Sequence, residues 1–296
     1  MKQKLLVIGS FNFDQFYYVS KLPLPGETID AYDFKVTFGG KGFNQAVASS
    51  KINNEIELFC VIGNDFKEGH KRYLIDKYHI KNIFYKKKDF KTGSAHIVVD
   101  KVGNNQIIVL GGANKQFNEE LCLKLDNLLK NYNAILMQNE ISEQLIDFLF
   151  KRFGNDKTIF YNAAPAKHIN EDYYQYIDYL FVNEVELKQL SKCEIIDDGI
   201  SKLLSKGIKN IIVTLGKNGA LFLSKNEYIK KDSINVNSID TVGAGDTFVG
   251  YFVGAIMKGL TNQKAMDLAT IAAGLSTTKK GAAESVPNLE DVLSYH

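Results

Sequence analysis

Apolar residues in this chain fall into short continuous runs separated by longer amphipathic stretches, and that rhythm predicts most of the architecture. Runs of strand length occupy Leu5–Ile8, Ile56–Ile62, Ala134–Met137, Thr158–Tyr161, Tyr179–Val182 and Asn210–Thr214. A nearly continuous apolar run suits a sheet covered on both faces. Between the runs, helical periodicity extends over about Asn44–Lys51, Glu68–Tyr78, Asn118–Leu129, Glu143–Phe153, Glu184–Leu190 and Ile200–Lys206. Strands alternating with helices predict an α/β fold: a mostly parallel central sheet with helices on both faces. The last third turns helical, at Gly245–Lys258, Gln263–Thr277 and Leu289–Leu293.

Two segments break the rhythm. Glu27–Phe38 and Gly93–Leu110 alternate with a period of two, and Gly103-Asn104-Asn105 reads as a hairpin turn. Neither is followed by a helix able to make a crossover. Both are expected as antiparallel strands projecting from the main sheet in a small second layer. That layer would span about residues 11–38 and 91–111 of one 296-residue domain. It serves either as an edge extension or as a lid over a ligand.

Composition narrows the classes. The chain is 45% hydrophobic and 24% charged, ordinary for a globular protein long enough to build one large core. A formal charge of +2 gives no electrostatic reason to expect nucleic acid or membrane as a partner. Arg72 and Arg152 are the only arginines, so an anion must rely more on backbone N–H groups than on guanidinium forks. Cys60, Cys122 and Cys193 are far apart and odd in number, which fits a reducing compartment. His70, His79, His96, His168 and His296 form no HxxxH or HxH pair and are expected as surface or loop residues. The start MKQKLLVIGS runs straight into a strand with no signal-peptide pattern, and no run of about 18 apolar residues occurs, so a cytoplasmic location is expected.

The richest local signal is Asp240-Thr241-Val242-Gly243-Ala244-Gly245-Asp246-Thr247-Phe248. A tight small-residue turn feeds a helix, so the N–H groups of Gly243, Ala244 and Gly245 would form an anion hole at the positive end of the helix dipole. A carboxylate beside an anion hole repels a phosphate unless its task is to take a proton from an attacking hydroxyl, and Asp246 fits that role. Taken alone, the turn serves equally as a plain helix start with a dipole-stabilising Asp.

A second glycine turn, Gly39-Gly40-Lys41-Gly42-Phe43-Asn44, opens another helix. It is neither a Walker A loop nor GxGxxG, and Asn44 has the donor and acceptor that sugar hydroxyls require. Asn12 and Asp14 follow the first strand, where ligands of α/β sheets bind, although an Asx turn would place them equally well. Glu140 follows another buried strand. Asn183 and Glu186 follow a third, where Asn183 competes as a helix cap. Thr214-Leu215-Gly216-Lys217-Asn218-Gly219 follows a fourth, as a tight turn or a nucleotide-contacting loop.

The pairing of GGKGFNQAVA with DTVGAGDTF resembles the ribokinase-like (PfkB) carbohydrate kinases. GSFNFD, PGET, GGAN, MQNE, NAAPA, NEVE, TLGKNG and KKGAAESVP extend the resemblance over essentially the whole chain. Within that family the likeness is strongest to its ribokinase branch. The resemblance implies transfer of the γ-phosphoryl of ATP to the 5-hydroxyl of D-ribose, with Asp246 as general base and Gly243, Ala244 and Gly245 as anion hole. It implies that Asn12, Asp14, Gly40, Lys41, Gly42, Asn44 and Glu140 hold the sugar. Asn183, Thr214, Leu215, Gly216, Lys217, Asn218, Gly219, Gly245 and Thr270 would contact the nucleotide. Glu186 would organise Mg²⁺, and Asp240, Val242, Ser276, Lys279, Gly281 and Ser285 would form a K⁺ site. It also implies a homodimer paired through the β lid.

Three positions depart from the family pattern. Phe13 and Phe43 replace small residues beside the sugar site, either narrowing the pocket or packing away from it, and Thr270 replaces a larger polar residue near the adenine. The rival readings are a same-fold kinase for 2-deoxyribose, another sugar or a nucleoside, and a catalytically idle sugar-binding module. Dinucleotide binding lacks the GxGxxG turn it needs.

Overall fold

The structure, a computed structural model, describes residues 3–53 and 55–295. In chain order its elements are β1 (Leu5–Ile8), β2 (Asn12–Val19), β3 (Ala31–Gly39), α1 (Lys41–Ser50), β4 (Ile56–Ile62), α2 (Glu68–Tyr78), β5 (Lys81–Lys86), β6 (Gly93–Val99), β7 (Asn105–Leu110), α3 (Glu119–Leu129), β8 (Ala134–Gln138) and α4 (Glu143–Phe153). There follow β9 (Thr158–Asn162), β10 (Tyr179–Asn183), α5 (Glu184–Ser191), α6 (Ile196–Ser205), β11 (Asn210–Thr214), β12 (Ala220–Ser224), β13 (Tyr228–Lys231), α7 (Ala244–Met257), α8 (Asn262–Ser276) and α9 (Leu289–Leu293). No helix among the described residues is long and apolar enough to cross a membrane.

The central sheet has nine strands in the order β13-β12-β11-β10-β9-β8-β1-β4-β5. It is parallel from β11 to β5, and β12 and β13 close it with an antiparallel pair. Strand β1 shows why its run is apolar at every position. Leu5 and Val7 enter one packed layer, with α1, α2, α7, α8 and α9, while Leu6 and Ile8 enter the other, with α3 to α6. Side-chain caps mark several helix starts: Asn118 Oδ1 accepts from Leu121 N at 3.0 Å, and Thr261 Oγ1 accepts from Lys264 N at 3.3 Å.

The second sheet has the order β3-β2-β6-β7. Its outer pairs are antiparallel hairpins, and β2 and β6 join them as a parallel pair with Asn12 opposite Gly93. The strand expected over Glu27–Phe38 is β3, the second strand of the first hairpin, and it starts at Ala31 rather than Glu27. The second turn is held by Asp100, whose Oδ1 accepts from Val102 N at 3.0 Å and Asn104 N at 2.9 Å, so Asn105 already belongs to β7.

Three strands escape the pattern of apolar runs. Strand β5 lies at an edge and buries only Tyr85, with a lysine at each end. Lysines on an edge strand discourage pairing with other chains, and they also erase its apolar signal. Strands β12 and β13 form the other edge. His70 and His96 are half-buried on α2 and β6 rather than in loops, His79 ends α2 in the left-handed conformation, and His168 is exposed. His296 lies outside the described residues.

Candidate active site

The ends of β1 and β8 and the starts of α1 and α7 converge on one cleft. Gly40, at φ 94°, turns the chain from β3 into α1 where Cβ of any other residue would meet the Ser10 backbone at 3.0 Å. Gly42 does different work: its Cα abuts Gly9, and a Cβ there would come within 2.5 Å of Gly9 Cα. Gly42 is buried against Gly9, just past the end of β1, and is not among the residues that line the cleft. Asn12 and Asp14 are the first residues of β2, not an Asx turn, and alternation along the strand puts both on the cleft side.

Asp246 sits in the first turn of α7 and is 8% exposed. Asn44 Nδ2 donates to its Oδ2 at 3.0 Å, and Gln45 Nε2 donates to its Oδ1 at 2.9 Å. Both donors come from α1, which packs tightly along α7. Gly243 caps the helix at φ 77°, against Ala282. The amides of Gly243, Gly245 and Asp246 have no protein acceptor among the described residues. Ala244 N instead donates to Thr241 O at 3.3 Å, so two of the three amides read as free donors, those of Gly243 and Gly245, have no protein acceptor among the described residues, and the amide of Asp246 joins them.

Across the cleft, Glu140 Oε2 accepts from Ser10 Oγ at 2.5 Å and from Lys41 N at 2.9 Å. Asn114 Nδ2 donates to Asn12 Oδ1 at 2.8 Å, fixing which way that side chain faces. Neither Asn114 nor Ser10 was singled out by sequence reasoning; GGAN and GSFNFD carried them only as parts of longer motifs. Asp14 is pushed up to about 7 by its burial, with the nearby Glu140 and Asp246 charges adding to the effect. Its Oδ1 is buried with no partner among the described residues. The Lys41 ammonium is held above its ordinary range, foremost by Asp246, with Glu140 and Glu186 adding against the cost of burial.

These groups line a cavity of about 670 Å³ between the two sheets. It brings together Asn12, Asp14, Gly40, Lys41, Asn44, Glu140, Gly243 and Asp246, with Asp240, Val242 and Gly281 at its side. A second cavity of about 400 Å³ lies on the other side of the α7 start, and Ala244 and Gly245 form part of its wall. Thr214, Gly216, Lys217, Gly219 and Thr270 line it. Leu215 packs on the core and Asn218 is exposed, and neither is among the residues that line this cavity. Ser233, Ile234, Val236, Ser238 and Thr241 also line it, from an irregular loop with no periodicity to reveal them.

Phe13 and Phe43 leave the first cavity open. Phe43 is fully buried, edge-on to Phe11 at 5.4 Å and to Tyr78 at 5.2 Å, and Phe13 joins Phe11, Phe38, Phe66 and His70 in the same aromatic cluster. Asn183 and Glu186 form a reciprocal cap: Glu186 N donates to Asn183 Oδ1 at 2.8 Å, and Asn183 N donates to Glu186 Oε2 at 2.9 Å. Burial raises the Glu186 carboxyl above its ordinary range, with the bond from Asn183 opposing. Asp240 ties two loops together, accepting from Val242 N at 3.0 Å and Gly281 N at 2.9 Å. Ser276 ends α8, and Lys279 and Ser285 lie on the chain after it, all three outside both cavities; the hydroxyls of Ser276 and Ser285 donate to the carbonyls of Ala273 and Ala282.

A cleft with a buried carboxylate at a helix start, polar groups suited to hydroxyls and free helix-start amides is equipped to move a phosphoryl group onto an alcohol. The comparison with known proteins decides the family, for the model described as pfkB family carbohydrate kinase matches residues 2–289. The chain belongs to the pfkB family of carbohydrate kinases. This carbohydrate kinase is 34% identical over 304 residues to the ribokinase of Staphylococcus aureus (strain COL), covering 99% of each chain. It is 31% identical over 300 residues to the deoxyribokinase of Salmonella typhi, covering 98% of each. Its fold matches the crystal structure of ribokinase from Thermotoga maritima with a TM-score of 0.90 and 36% identity, over 99% of this chain and 98% of that one.

Proposed function

We propose that this kinase transfers the γ-phosphoryl of ATP to the 5-hydroxyl of D-ribose. The observation that carries the reading is the position of the α7 start between two cavities, with Asp246 facing one and Gly245 the other. Ribose would lie in the first, its hydroxyls held by Asn12, Asp14, Gly40, Lys41, Asn44 and Glu140. ATP would lie in the second, along Thr214, Gly216, Lys217, Gly219 and Thr270.

Asp246 takes the proton of the 5-hydroxyl as its oxygen bonds to the γ-phosphorus, the bond to the bridging oxygen breaks, and ADP leaves. The amides of Gly243, Gly245 and Asp246 meet the charge that develops on the phosphoryl oxygens. The second sheet acts as a lid that keeps water, the competing acceptor, away from the phosphoryl group.

Two ions fit residues of this chain. Glu186 spends Oε2 on its cap, and its Oε1 would hold Mg²⁺ through water, the ion supplying positive charge to neutralise the phosphates. Asp240, Val242, Ser276, Lys279, Gly281 and Ser285 would hold K⁺, mostly through carbonyls. The fit rests on the Asp240 tether, which draws the two loops together beside the Gly243 cap. K⁺ there would order the helix start electrostatically.

The second sheet exposes Ile108 at 72% and Leu110 at 56%, a face suited to a second copy of the chain, so the kinase is read as a cytoplasmic homodimer. A 2-deoxyribose acceptor is the second reading, favoured by the likeness to the Salmonella deoxyribokinase. Phosphorylation of ribose and 2-deoxyribose with ATP, by wild type and by Asp246→Asn, tests both. Ribose turnover at least tenfold better than deoxyribose turnover, with both lost in Asp246→Asn, is expected. Equal rates on the two sugars would favour deoxyribose, and normal turnover by Asp246→Asn would end the mechanism.

A further inference from the structure

Behind Asp246 runs a string of buried side-chain amides that the reaction does not touch. Gln45 is fully buried. Its Nε2 donates to Asp246 Oδ1 at 2.9 Å and to Asn162 Oδ1 at 2.9 Å, and its Oε1 accepts from Gln138 Nε2 at 2.7 Å. Asn162 Nδ2 in turn donates to Phe181 O at 3.1 Å. We propose that Gln45 is a positioning residue for the phosphoryl transfer, holding the Asp246 carboxylate in the orientation that receives the sugar's proton, and that Gln138 acts through it.

The direction of the string follows from chemistry. An ionised carboxylate only accepts, so Gln45 must present its NH₂ to Asp246. Its carbonyl then faces Gln138, which must donate. The mismatch is passed along to Gln138 Oε1, which is buried without a partner among the described residues, against the backbone of Gly9. An unpaired buried carbonyl is costly, and the string moves that cost away from the base to a point beside Gly9, which has no side chain. Two donors from adjacent residues of α1 fix both oxygens of Asp246. The carboxylate plane is therefore set before the sugar arrives, as a base needs. A purely structural amide network would not demand that its head group be the acceptor-only side chain lining the cavity.

The proposal rests on the kinase reading, and the experiment separates the two. Gln45→Met keeps the volume and removes every hydrogen bond. It should lower kcat about tenfold or more while the dissociation constants of ribose and ATP, measured by calorimetry, change less than about twofold. Gln138→Met should lower kcat by a smaller factor, and in the double variant it should add nothing to the loss from Gln45→Met, because it acts only through that residue. Unchanged kcat in folded Gln45→Met, or fully additive losses, would overturn the proposal. Should Gln45→Met fail to fold, Gln138→Met decides: a fall in kcat with intact binding supports the string, and wild-type kcat refutes it. If Gln45→Met is normal while Asp246→Asn is inactive, the kinase reading stands and only the role of Gln45 is lost.

Discussion

Gly250 of α7 lies against Ala48 of α1 so closely that a Cβ on Gly250 would fall 2.4 Å from that of Ala48 and 2.6 Å from Gln45 O. The second obstacle is backbone, so it cannot swing away. Gly254, one turn on, meets Ser49 O at 2.8 Å in the same way. This contact sets the separation of the two helices that carry Asn44, Gln45 and Asp246. Gly250→Ala should destabilise the protein by about 1–3 kcal/mol, measured by denaturant unfolding, and should lower kcat with it. Gly245→Ala is the contrast, because its Cβ meets nothing within 4 Å. Its stability should stay within about 0.5 kcal/mol of wild type while turnover falls.

Asp14 links pH to both stability and sugar binding. Held up at about 7, its carboxyl keeps its proton in the folded chain after the unfolded chain releases it near 3.8. Its contribution to stability is therefore complete below about pH 4 and is lost as pH rises through about 7. Asp14→Asn cannot lose a proton. The variant should gain stability over wild type at pH 8 and gain little at pH 4, while its KM for ribose rises. Equal differences in unfolding midpoint at the two pH values would refute the titration.

Glu284 joins the second sheet to the body. Its Oε2 lies 3.0 Å from Lys35 Nζ of β3 and its Oε1 lies 2.7 Å from Lys77 Nζ of α2. The carboxylate is partly exposed, so Glu284→Ala should cost stability only about 0–1 kcal/mol. The KM for ribose should rise roughly two- to fivefold, and added inert salt should narrow the gap from wild type. A salt-independent difference would point to packing rather than charge.

The second cavity offers a one-methyl test. A Cβ on Gly274 would lie 2.2 Å from Ile234 Cγ1, and Ile234 lines that cavity from an irregular loop. Because a β-branched side chain has little freedom at χ1, Gly274→Ala should displace Ile234 together with its loop. The KM for ATP should rise several-fold with that for ribose unchanged; a change in the ribose value alone would contradict the assignment of the two cavities.

Much of this was legible in the residues themselves. The parallel strands and both glycine turns follow from apolar runs and small-residue spacing, because β1 and its neighbours are buried on two faces. Glu140 follows β8 and Asn12 follows β1 at one edge of the parallel sheet, and the two glycine turns start α1 and α7 at that same edge, which brings Asn44 and Asp246 to them. What stayed hidden has physical causes. Gly42 looks like a ligand glycine, but close packing on Gly9 needs the same residue type. The 232–242 loop lining the donor cavity has no period to read. Gln45 shows its role only when a helix and two strands, distant in sequence, bring Asp246, Asn162 and Gln138 around it.

The grip on the acceptor draws on two separate bodies. Asn44 and Asp246 belong to helices locked by glycine contacts, whereas Asn12 and Asp14 are carried by the other sheet. A tilt of that sheet would change how firmly a guest is held while the helix pair keeps Asn44 and Asp246 in place. Evolution can therefore retune affinity through one body without disturbing the reaction geometry kept by the other.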